Sequence, residues 1–133
     1  MALNQWFDRD TLPALRKSVL AAAVAAGMPR HRAADVVLAV HELAANAVRH
    51  GGGTGRAQMW VIDDVLHCMV SDEGRGAVNG HARAGTVAAV RPWLFKPGHG
   101  LWLVRGLADR LTAAPGPGGS QVTAVFALPG CPA

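Results

Sequence analysis

The stretch His41-Glu42-Leu43-Ala44-Ala45-Asn46-Ala47-Val48-Arg49-His50, followed at once by Gly51-Gly52-Gly53, decides how this chain is read. Pro29 suits the opening of a helix and three successive glycines end one, so a helix is predicted from about Pro29 to His50. Val36, Val40, Leu43 and Ala47 recur at spacings of four, three and four, which draws one apolar stripe along it. Glu42 and Asn46 stand one turn apart on the same side. They lie beside the stripe rather than opposite it, at the edge of the expected core. A carboxylate and an amide oxygen are hard ligands suited to Mg²⁺. The carboxylate equally suits a general base, and the pair by itself also fits a plain solvated helix face.

Working outward, Thr11-Leu12-Pro13 is a helix start, and a first helix is expected from about Pro13 to Ala26, stopped by Gly27. Arg16-Lys17 ahead of the run Val19 to Ala26 has the outline of a secretory leader. The run is short, weakly apolar and preceded by Asp8, Arg9 and Asp10, so it reads as an alanine-rich amphipathic helix. No apolar stretch is long enough to span a membrane, and a cytoplasmic protein without a membrane partner is expected. Downstream, Arg56 to Ile62 and Val65 to Ser71 alternate around Asp63-Asp64, a hairpin pattern. Ala77 to Pro97 shows little periodicity and reads as a long functional loop with a short helix near Thr86 to Val90. A third helix is expected from Gly100 to Leu111, a turn at Pro115-Gly116-Pro117-Gly118-Gly119, and a strand from Gln121 to Leu128. This order implies one α+β domain over residues 1–133, a two-layer sandwich of a mostly antiparallel sheet with helices on one face.

Half of the 133 residues are hydrophobic, enough for one core without disulfides. Lys and Arg number 13 against 9 acids, and the resulting +4 fits an anionic partner. The arginines are scattered rather than set in one stripe, which argues against direct nucleic-acid binding. Cys68 lies in an apolar alternating run and Cys131 near the end of the sequence, with no CxxC and no HExxH anywhere. A metal cage made by protein side chains alone is therefore not expected.

Two further motifs carry chemistry. In Asp72-Glu73-Gly74-Arg75-Gly76, Asp72 shares a strand face with Leu66, Cys68 and Val70, so it points where the core should be. A carboxylate there needs a partner. The exocyclic amine of adenine is one, and the backbone amides of a turn are another. Gly74 and Gly76 let the backbone approach a flat ligand closely. In Gly98-His99-Gly100-Leu101, glycines lead into a helix amino terminus, which offers free N–H groups to phosphate. Neither a Walker loop nor a Rossmann fingerprint is present.

In order and spacing the three segments resemble the boxes of the Bergerat-fold (GHKL) ATPase superfamily, over about Ala34 to Leu128. The strings from Glu42 to Gly51 and from Gly100 to Asp109 are similar to the short anti-sigma factor serine kinases, with a histidine-kinase-like ATPase domain. The resemblance implies ATP and Mg²⁺ as cofactors. Asn46 would hold the metal, Glu42 would activate a substrate serine, and Asp72 would read adenine. Gly74, Gly76, Gly98, His99, Gly100 and Leu101 would form the adenine and phosphate walls, with Arg49 and His50 near the nucleotide. Residues 77–97 would be the ATP lid, and either Ser120 or Thr123 the late-strand hydroxyl. His41 departs from the small hydroxyl residue often found at its place, and Trp93 and Phe95 lie within the lid segment.

The chain shows no phosphoacceptor helix pair and no second ATPase domain, so a complete histidine kinase or a chaperone clamp is not expected. The implied activity is a serine-protein kinase that phosphorylates a small antagonist (an anti-anti-sigma protein) and sequesters a sigma factor, with pairing of two copies also implied. The alternatives are a catalytically silent, ATP-gated protein-binding module, and an interaction domain that takes no nucleotide.

Overall fold

The chain starts with a strand, not with the helix expected first. A computed structural model describes residues 1–50, 52–72, 100–116 and 119–129. Strand β1 (Leu3–Asp8) runs into a short 3-10 turn, Arg9–Thr11, and then helix α1 (Leu12–Ala25). The junction is held by a capping box: the Asp8 carboxylate accepts from the amides of Asp10 and Thr11 at 2.9 and 3.0 Å, and the Thr11 hydroxyl accepts from the Asp8 amide at 2.8 Å. Gly27, at φ +105°, closes α1. The Gly27 amide donates to Val24 and the Met28 amide to Ala23, the paired bonds of a Schellman ending.

Helix α2 (Arg30–His50) follows, and Gly52 and Gly53 both carry positive φ after it. Strands β2 (Thr54–Ile62) and β3 (Val65–Asp72) form the expected hairpin. Its two turn residues, Asp63 and Asp64, lie at φ 52° and 61°, the conformation of a two-residue type I′ connection, which aspartate tolerates better than most residues. Helix α3 (Gly100–Leu107) is shorter than expected, since the chain leaves it after Leu107 to enter strand β4 (Arg110–Gly116). Strand β5 (Gly119–Ala127) completes the sheet. The expected lid, with its short helix, lies outside the described residues.

The described strands pair antiparallel in the order β1-β2-β3-β5-β4. The sequence pattern does not predict strands β1 and β4, and both are edges. Edge strands take half their hydrogen bonds and much of their burial from one neighbour, so their own pattern is weak. Strand β4 even contains Pro115, which an edge tolerates and a central strand does not.

The cross-strand register sorts the residues by face. Phe7, Ala57, Met59, Leu66, Cys68, Val70, Val122, Ala124 and Phe126 are buried on one face, under the helices. Leu15, Val19 and Ala23 of α1, Val36, Val40 and Leu43 of α2, and Leu101 and Val104 of α3 close the core from above. Burial pushes the Cys68 thiol up to about 12, as expected of a thiol used for packing rather than reactivity. The opposite face carries Trp6, Gln58, Trp60, His67 and Thr123, with Trp60 stacked on His67. Among the described residues no helix is long and apolar enough to cross a membrane.

Candidate functional site

Asn46 is buried more deeply than the edge position predicted for it. It is 7% exposed, the one polar residue among the buried residues described, and it sits within the apolar face of α2 between Leu43 and Ala47. Its Oδ1 accepts a hydrogen bond from Arg49 Nη2 at 3.0 Å, one turn further along. Its Nδ2 has no partner among the described residues. A buried amide left without a partner costs about 1–3 kcal/mol, so this position is held against its own preference. Arginine only donates, which fixes the amide's orientation: the oxygen must face Arg49 and the N–H₂ group must face the unpartnered side.

Glu42, one turn earlier, is half-buried, and its carboxylate has no hydrogen bond or ion pair among the described residues. His41 beside it faces α1, where Arg16 Nη1 lies 3.3 Å from its Nδ1. That contact uses the departure from the usual hydroxyl residue to join two helices. Arg49 is exposed and His50 half-buried at the end of α2.

Asp72 closes β3 on the helix-covered face, and Gly55 at the start of β2 stands opposite it. Only residues 51–53 separate α2 from β2, so the two ends lie within about 14 Å of each other. The carboxyl end of α2 and the Asp72 end of the sheet are therefore neighbours. Gly55 has no side chain because there is no room for one: a Cβ would meet Phe7 Cζ at 2.5 Å and the Ser71 carbonyl at 2.7 Å. Asp72 Oδ1 also accepts, at a long 3.4 Å, from the amide of Ser120 on β5.

The two late-strand hydroxyls now separate. Ser120 has the parity of Val122, Ala124 and Phe126 and lies on the face of Asp72. Thr123 is paired with Met69 and Thr112 on the opposite face, away from the helices. Gly100 and Leu101 open α3, with Leu101 buried against the core. Gly74, Gly76, Gly98 and His99 lie outside the described residues.

One set of contacts had no signal in the sequence. Arg32, in the first turn of α2, donates from Nη1 to the Leu107 carbonyl at 2.6 Å and to Asp35 at 3.0 Å, and from Nη2 to Asp109 at 3.3 Å. Its guanidinium also lies 5.0 Å from the centre of the Phe126 ring. Arg32 and Asp109 are 77 positions apart, and no local pattern links residues at that separation.

The donor set fits Mg²⁺ in one respect and resists it in another. Asn46 supplies one hard oxygen, and Glu42 adds a carboxylate one turn away. Among the described residues no cluster of three His, Cys, Asp or Glu side chains is placed to hold a metal. Mg²⁺ commonly takes one or two protein oxygens and completes its shell with waters and phosphates, so a single amide oxygen suffices when a nucleotide brings the rest. For Asn46 Oδ1 to serve, Arg49 must release it.

A search of curated proteins found no match to this chain. The family model for the histidine kinase-like ATPase domain matches residues 6–126, from β1 to the end of the core-facing run of β5. That span takes in the α2 helix with Glu42 and Asn46, Asp72 at the end of β3, and the amino end of α3. The chain belongs to the histidine kinase-like ATPase domain family.

Proposed function

We propose that this domain binds Mg²⁺–ATP between the carboxyl half of α2, the end of β3 and the amino end of α3, and transfers the terminal phosphoryl group to a serine of a small antagonist protein. The observation that carries the site is Asn46: a buried amide with an unpartnered N–H₂ group, one turn from a carboxylate that is itself unpaired among the described residues. Polar groups are left in this condition where a ligand completes them. Asp72 accepts from the adenine amine, with Ser120 beside it. Arg49, exposed and cationic, turns from Asn46 toward the phosphates.

In the transfer, Glu42 takes the proton of the serine hydroxyl as its oxygen bonds to the terminal phosphorus. The bond to the bridging oxygen breaks, and ADP leaves with that electron pair. Bound Mg²⁺ supplies charge neutralisation on the phosphates. The same surface, in this reading, sequesters a sigma factor, and the antagonist is the sigma factor's competitor.

Two measurements test it. Calorimetric titration with Mg²⁺–ATP should give a saturable signal in the intact protein. Glu42→Ala should keep that binding while phosphotransfer to the antagonist, captured by pull-down with and without ATP, falls by about 10²–10⁴-fold, the usual weight of a general base. Undiminished phosphotransfer in Glu42→Ala removes the catalytic assignment. A second reading is favoured by the hydrogen bond from Arg49 to Asn46 Oδ1, which occupies the oxygen a metal would need. If that bond persists with nucleotide bound, the domain is an ATP-gated binding module, and it binds ATP without phosphotransfer.

A further inference from the structure

Helix α3 has eight residues, about 12 Å, and its amino end supplies the N–H groups that face phosphate in the reading above. A helix so short is oriented by whatever grips it. Leu101 and Val104 give it an apolar hold on the core. Apolar contact resists separation but is non-directional, and it permits a helix to slide or roll.

The directional hold is at the other end. Leu107 O is one of the last-turn carbonyls that no helical amide can satisfy, and Arg32 Nη1 donates to it at 2.6 Å. The same guanidinium reaches Asp109 at 3.3 Å, just past the helix, and its side chain is only 25% exposed. Asp109 is fixed in turn. Its Oδ2 accepts from the Ala127 amide at 2.7 Å, and its own amide donates to the Val125 carbonyl at 2.9 Å. The Phe126 ring lies beneath the guanidinium. One planar fork thus joins the start of α2, the end of α3 and strand β5. Arg32 and Asn46 are 14 positions apart on one helix, about 21 Å along its axis. Since α3 packs on α2 with Leu107 held beside Arg32, its amino end lies toward the Glu42 and Asn46 half.

We propose that Arg32 is a positioning residue for the nucleotide phosphates, holding α3 from its carboxyl end so that its amino end stays aimed at the site on α2. This rests on the nucleotide reading of that site. A cation at a helix carboxyl terminus is favourable in any protein. What sets Arg32 apart is that its partners restrain α3 along its axis and against rotation at once, which a single-point ammonium cannot do.

The test is the ratio of affinities for ATP and adenosine, measured by calorimetry on the full chain. Asp72 reads the base from β3, which Arg32 does not hold, so adenosine reports the adenine contact alone. Arg32→Ala should weaken ATP by about ten-fold or more while adenosine stays within about two-fold. Arg32→Lys should recover only part of the loss. Asp35→Ala, which removes a partner within α2 and leaves α3 held, should keep the ratio of the unmodified protein. If Arg32→Ala does not fold, Asp109→Asn keeps the idea open to refutation, with a smaller drop in the same ratio expected. An unchanged ratio in the folded Arg32 and Asp109 variants overturns the positioning role. Absence of both ATP and adenosine binding in the unmodified protein overturns the nucleotide reading and this inference together, and is distinct from an unchanged ratio.

Discussion

At the scale of single residues, the proposed site leaves the choice of base to Asp72. Its carboxylate offers only acceptors, which suits the amino group of adenine and opposes the carbonyl that guanine carries at the same place. Hydrogen bonds to a charged group contribute about 1.5–3 kcal/mol. Asp72→Asn should therefore weaken ATP binding by about ten-fold or more. It should also narrow the preference for ATP over GTP, because the new amide can donate to guanine. Competition between the two nucleotides, followed by calorimetry, checks both parts, and an unaltered ATP to GTP ratio counts against Asp72 as the base reader. The same residue shows how much the sequence discloses. Its strand parity with Leu66, Cys68 and Val70 places it on the core face, and its pairing with Gly55 agrees. The depth of Asn46 is not legible in the same way. Helical spacing puts it beside the apolar stripe, whereas α2 as a whole packs against β2, β3 and α3, and Asn46 is only 7% exposed. Burial depends on what packs above a residue, and the helix's own sequence does not contain that.

Among elements, the hairpin of β2 and β3 is built to tolerances that reach the site. Gly55 occupies the pair position opposite Asp72, with Phe7 of β1 and the Ser71 carbonyl filling the space a side chain would need. Alanine there must push the Phe7 ring or the β3 backbone aside. We expect Gly55→Ala to cost about 1–3 kcal/mol in urea unfolding, the usual toll of overpacking, and to weaken ATP binding because the displaced backbone carries Asp72. Loss of stability with intact ATP affinity would mean that the ring alone gives way. Of the elements themselves, α1, α2, the hairpin and β5 were legible from periodicity and turn residues. The two edge strands were not. Leu3 to Asp8 has one buried residue, Phe7, and Arg110 to Gly116 contains a proline, so neither has an alternation strong enough to read. Each becomes a strand because a neighbour offers a row of free backbone groups. The third helix was expected to reach Leu111 and stops at Leu107 because β5 captures the chain after it, through the Asp109 amide and the Val125 carbonyl.

For the whole molecule, the proposed site joins elements that are distant in sequence, so ligand binding and global stability should be linked. A ligand that binds only the folded chain adds about 2.7 kcal/mol at a hundred-fold excess over its Kd. Mg²⁺–ATP should raise the unfolding midpoint in urea accordingly, with adenosine giving a smaller rise and GTP less than ATP. No shift with saturating ATP would contradict a site that spans α2, β3 and α3. The sequence by itself determined the α+β class, the order of the main elements and the residue types available to a ligand, because periodicity, turn chemistry and donor type are local properties. Only the tertiary structure decided that Ser120 and not Thr123 shares a face with Asp72, that Asn46 is buried with half of its amide unsatisfied among the described residues, and that Arg32 ties α2 to the end of α3. Each of those depends on groups brought together across the sheet or between helices, where cross-strand register and packing, rather than spacing along the chain, set the contact.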